Sequence, residues 1–152
     1  MAGTWKSFVR KRPRLAAAVS YGAAGMLVTA AWFLPSVLRR GDLVAFGLYV
    51  VAPGASAALA GALAGTRLCD GVHPIGTWRA VVQGAAIATL ALIMFAPIFA
   101  VLFTLTAPGT SIVGLTVAVL IFSALAVWWV VAAVGAVVGW LLHRVAAGRN
   151  AA

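Results

Sequence analysis

Four stretches without a charged side chain, Leu15 to Leu38, Leu43 to Gly65, Ala80 to Leu102 and Ile112 to Leu142, decide what this chain can fold into. The hydrocarbon core of a bilayer is about 30 Å thick, and about 20 apolar residues of helix cross it. Each stretch meets that length. Lipid offers no hydrogen-bond partner to a peptide group, so a spanning segment must bond its own backbone as a helix. The connections are short, and with 64% hydrophobic and 9% charged residues in 152 there is no room for a soluble domain. The expected fold is all-α, an integral membrane bundle of four helices. A secretory signal has an apolar core of only roughly 7–15 residues. The first stretch is longer, so we read it as a retained span.

The spans fall into two related halves. Ala18-Val19, Gly22-Ala23-Ala24, Phe33 and Pro35 return sixty-two residues later as Ala80-Val81, Gly84-Ala85-Ala86, Phe95 and Pro97. Gly61-Ala62-Leu63-Ala64-Gly65 is echoed by Gly135-Ala136-Val137-Val138-Gly139. The reading is two tandem transmembrane hairpins, a 2+2 parallel repeat related by an axis along the membrane normal. The chain divides into a basic interfacial arm at 1–14, a first hairpin at 15–65, a cytoplasmic loop at 66–79, a second hairpin at 80–142 and a basic tail at 143–152.

Charge sets the orientation. Eleven Lys and Arg face only Asp42 and Asp70, for a net charge of +9. With both termini and the central loop cytoplasmic, only Arg39 and Arg40 lie outside, as the positive-inside rule favours. The expected location is a bacterial-type inner membrane. Because the basic residues flank apolar runs, we assign them to topology and anionic lipid, and not to nucleic acid. Lys6, Arg10, Lys11, Arg12 and Arg14 are the head-group contacts. Each contributes about 1 kcal/mol near an anionic surface.

Helices in lipid associate through close backbone approach and interhelical hydrogen bonds, which small residues four apart permit. Ala18 and Gly22, then Ala57, Gly61 and Gly65, then Gly84, and finally Gly135 and Gly139 are the expected packing surfaces. Pro35, Pro53 and Pro97 each remove an amide donor inside a span and are the expected kinks. Trp5, Trp78 and Trp140 fall at span ends, where aromatic belts form. Trp128 and Trp129 sit within the fourth span and are candidate contacts with a partner or a pigment.

Chemistry is harder to find. No ionisable side chain lies inside a span, although such groups mark substrate and proton paths. Cys69, Asp70 and His73 in the central loop, with His143, are the only metal-ligand types near one another, and the motif lacks the spacing of a closed zinc site. We therefore expect no metal and no catalytic residue, and the sequence requires no cofactor. The expected role is a non-catalytic membrane subunit that packs against and stabilises a larger complex, its partners being lipids and other membrane subunits or itself. The alternative is a homo-oligomeric channel or small transporter with a polar path past Gln83, Tyr21 and Thr89. A third reading, a membrane enzyme or pigment binder, rests on Cys69, Asp70, His73 and His143.

Overall fold

Each apolar run folds into a helix that overshoots its charge-free limits by a few residues. The computed structural model describes residues 2–40, 43–68, 76–107 and 109–147, and among these the chain is helical with no strand. Helix α1 is Ala2–Lys11 and α2 is Pro13–Arg40. Helix α3 covers residues 43–68, α4 is Thr77–Thr106, and α5 covers residues 112–147. Within them, Pro13–Ala31, Gly47–Ala64, Thr77–Thr106 and Ile112–Ala146 are long and apolar enough to cross a membrane.

Termini follow local chemistry. Pro13 opens α2, where a missing N–H costs nothing because the first helical amides have no partner within the helix. Ser111 caps α5 by accepting a hydrogen bond from the Gly114 amide at 3.2 Å. Before it, Gly109 takes φ 101°, a left-handed backbone that glycine adopts without strain.

Two helices are interrupted from within. In α3 the turn Gly47–Val51 is a π-helix, with the Ala52 amide bonding back to the Gly47 carbonyl. Pro53 explains it: its ring crowds the carbonyl one turn earlier, on Tyr49, and it cannot donate, so a wider turn relieves both. A second π-turn, Ser123–Val127, interrupts α5 with no proline behind it. Pro35 and Pro97, by contrast, break nothing. Helix α2 continues through Pro35 to Arg40 and α4 through Pro97 to Thr106.

The four spans pack in sequence, each antiparallel to the next: α2 on α3, α3 on α4, and α4 on α5. Contact between α2 and α5 is slight, so the ring is nearly open there. The core lies toward the end of the bundle that carries α1. It joins Val9, Ala16, Ala17, Tyr21, Ala57, Ala60, Leu68, Ala80, Ile87, Ala91 and Leu142, and six of these eleven are alanine. Small side chains bring backbones close, and dispersion between closely packed atoms replaces the hydrophobic force that lipid cannot supply.

The arm is more than a surface anchor. As helix α1 it folds under the bundle against α2 and α5, and Val9, 1% exposed, enters the core beside Leu142. Trp5 stacks on Phe8 with ring centroids 5.3 Å apart. Lys11, Arg12 and Arg14 are exposed. Lys6 and Arg10 lie on α1, with their side chains outside the described part of the structure.

Candidate functional site in a lateral crevice

The glycines make the two hairpins. In the first, a Cβ added at Gly61 would lie 2.8 Å from the Ala17 carbonyl oxygen, and one at Gly22 would lie 2.9 Å from the Ala58 Cβ. In the second, a Cβ at Gly139 would lie 2.6 Å from the Ala80 carbonyl oxygen, and one at Gly84 would overlap the Gly135 carbonyl. Real side chains do not approach so closely, so α2 meets α3, and α4 meets α5, at distances only glycine allows. Gly65 faces Ala17 and belongs to the same contact. Ala57 is buried near Gly25. Ala18 is only half-buried; Ala17, its neighbour, is fully buried and presents the matching surface on α2.

The device is common to both hairpins, but the register is not. Gly84 faces Gly135 and Gly139, whereas Gly22, its sequence counterpart, faces Gly54 and Ala58. Gly54 was not among the expected packing positions, although it stands three, seven and eleven residues before Ala57, Gly61 and Gly65 and so shares their helical face.

Beyond the core the bundle opens. Helices α2 and α5 meet where the Tyr21 hydroxyl donates to the Gly135 carbonyl at 3.5 Å, and past that point they diverge. Between them lies a cavity of about 390 Å³ whose walls come from all four spans. Ala24, Val28 and Phe33 line it from α2, Tyr49 and Pro53 from α3, Leu92, Phe95 and Phe99 from α4, and Val119, Phe122, Val127 and Val134 from α5. Both π-turns border it, through Tyr49 on one side and Ser123 and Val127 on the other.

Aromatic rings fix its far wall. Phe33 stacks on Tyr49 at 5.1 Å, Tyr49 meets Phe99 at 5.9 Å, and Phe99 meets Phe95 at 5.4 Å and Phe103 at 5.8 Å. Such pairs are worth about 0.5–1.5 kcal/mol beyond their burial. Of the 23 lining residues only Tyr21, Thr29, Tyr49 and Ser123 carry a polar side chain, and two of these hydroxyls are directed to backbone: Thr29 donates to the Gly25 carbonyl at 2.8 Å, and Tyr21 to Gly135. No buried side-chain nitrogen or oxygen among the described residues lacks a partner. The surface is therefore chemically apolar.

The residues of the polar-path reading are not assembled along it. Tyr21 borders the cavity, but Gln83 is engaged elsewhere, donating to the Ala64 carbonyl at 3.3 Å across the α3–α4 contact. Thr89 bonds back to the Ala85 carbonyl at 3.0 Å and accepts from the Trp128 indole at 3.1 Å. Neither lines the cavity. Trp128, 48% exposed, is thus tied to α4 by its polar edge while its ring remains uncovered, and Trp129 beside it is 66% exposed.

Cys69, Asp70 and His73 lie outside the described residues. His143 is half-buried near the arm end of α5, one residue before Arg144, whose guanidinium sits 4.6 Å from the centre of the Trp140 ring. Among the described residues no three His, Cys, Asp or Glu side chains come together. Comparison with known proteins finds no family, no characterised protein and no solved structure that matches the chain.

Proposed function

We propose that this chain is a non-catalytic integral membrane subunit that packs against and stabilises a larger membrane assembly. The observation that carries the reading is the exposed half of α5. From Ile112 to Phe122 none of its side chains is buried, and within the π-turn Leu125 is 79% exposed, followed beyond it by the exposed Trp128 and Trp129. Large rigid aromatics at mid-membrane offer contact area at low entropic cost, which is why Trp anchors interfaces. Head groups do not reach that depth, so the interfacial role of tryptophan does not account for them.

The orientation we infer has both termini and the loop after α3 cytoplasmic, in a bacterial-type inner membrane, with the two hairpins as tandem copies of one unit. The charge count supports the orientation and the matched sequence positions support the duplication. A membrane-impermeant maleimide tests the first point at the sole cysteine, Cys69. Labelling is expected in inverted vesicles and not in intact cells; the opposite pattern reverses the topology.

The function is tested by extracting tagged protein in a mild detergent and identifying what migrates with it on a native gel. A stoichiometric membrane partner is expected, reduced by Trp129→Ala. Recovery of the chain solely as a free monomer, under conditions that preserve other membrane complexes, overturns the reading.

A further inference from the structure

We infer that the crevice between α2 and α5 is a binding site for one hydrocarbon chain of an anionic lipid. It shares Val119 and Phe122 with the exposed half of α5 but not Trp128 or Trp129, and it does not depend on the role proposed for those tryptophans.

Four observations fix the occupant. First, along α2 the cavity runs from Tyr21 to Phe33, roughly 18 Å of helix. That is a little over half of a hydrocarbon core about 30 Å thick, and it is centred near the middle of the charge-free run Leu15 to Leu38, so a chain whose head group lies at the Arg39 end reaches past the bilayer midplane to fill it. Second, its volume of about 390 Å³ falls within the range of small-ligand pockets, roughly 300–1,000 Å³. Spread over that length, it leaves a cross-section of roughly 20 Å². One alkyl chain fits; a helix about 10 Å across does not.

Third, the wall selects for hydrocarbon. It offers four hydroxyls among 23 lining residues, and those of Tyr21 and Thr29 are turned to backbone carbonyls, so a polar solute entering the cavity loses hydrogen bonds to water and regains few. The opening faces the side of the bundle and not its end, because α2 and α5 separate beyond Tyr21 and Gly135 while every other neighbouring pair of spans stays in contact. A chain enters from the bilayer without leaving it.

Fourth, charge lies where a head group of that chain belongs. Arg39 is exposed on α2, six residues beyond Phe33, about 9 Å further along the helix. Together with Arg40 it outweighs Asp42, the single acidic residue in that part of the sequence. The 107–111 connection at the same end carries no charge. An anionic head group is therefore drawn toward α2 while its tail lies along the cavity wall of Val28, Phe33 and Phe122.

The test uses the full chain in vesicles of phosphatidylcholine and phosphatidylglycerol, each in turn spin-labelled on its acyl chain. A motionally restricted component is expected, larger for phosphatidylglycerol, and native mass spectrometry of the extracted protein is expected to retain one lipid. The double variant Ala24→Phe, Ala118→Phe fills the opening from α2 and α5 at positions that are not buried, and the restricted component should then be lost with helicity unchanged. Arg39→Gln should leave the component present and lower the preference for phosphatidylglycerol about fivefold, the factor for one basic residue near a lipid surface. A wild-type protein with neither restricted nor retained lipid overturns the inference, whatever the variants do. So does a restricted component that persists unchanged in the folded double variant, or a cross-link from Ala118→Cys to a protein helix lying in the opening.

Discussion

At the scale of single residues, glycine here is defined by what stands opposite it. Gly84 has the Gly135 backbone against it, and a methyl group there has nowhere to go; Gly47 has nothing near its Cβ position. Gly84→Ala should therefore lower resistance to unfolding by about 1–3 kcal/mol, the usual cost of overpacking. Gly47→Ala should be neutral or stabilising by about 0.5–1 kcal/mol, because alanine loses less backbone entropy than glycine on entering a helix. Unfolding in mixed micelles, followed by tryptophan fluorescence, compares them directly. Equal effects would show that helix propensity, and not close contact, governs both sites. This contrast was only half legible in the sequence. The spacing of Gly61 and Gly65, and of Gly135 and Gly139, marks contact faces, but in a helix apolar on every side nothing distinguishes Ala18 from Ala17. Only the partner helix makes that choice.

At the scale of elements, span number and order were readable, because an uncharged run longer than the bilayer is thick admits no other structure. The two π-turns divide the remaining cases. That in α3 has its cause in sequence, at Pro53. The turn at Ser123–Val127 has no proline, and its neighbours give no warning. Pro53→Ala should let the α3 turn close to ordinary α-geometry, with the amide at position 52 shifting its acceptor from Gly47 toward Leu48. Backbone chemical shifts and slowed hydrogen exchange over Gly47–Val51 would report the change. An unaltered π-turn would mean that packing around Tyr49 holds it, and not the proline ring.

For the molecule as a whole, the arm closes the core. Read from sequence, residues 1 to 14 form a basic segment on the membrane surface, and Val9 is one apolar residue among cations. Its burial depends on where α5 ends, some 130 residues later in the chain, and no local pattern encodes that. Val9→Ala removes two methyl groups from a fully buried site and should cost about 1–2 kcal/mol. The same substitution should leave labelling of Cys69 unchanged. The cavity was equally out of reach, since its walls come from all four spans and its existence depends on the angle at which α2 and α5 part.

That parting has a mechanical consequence. A bundle clamped at one end and ajar at the other is not equally stiff through its thickness. Lateral pressure at the α1 end meets a tight backbone contact, while beyond Tyr21 it acts on a gap that few contacts between α2 and α5 oppose. The separation of α2 and α5 is therefore the dimension of the bundle that yields first.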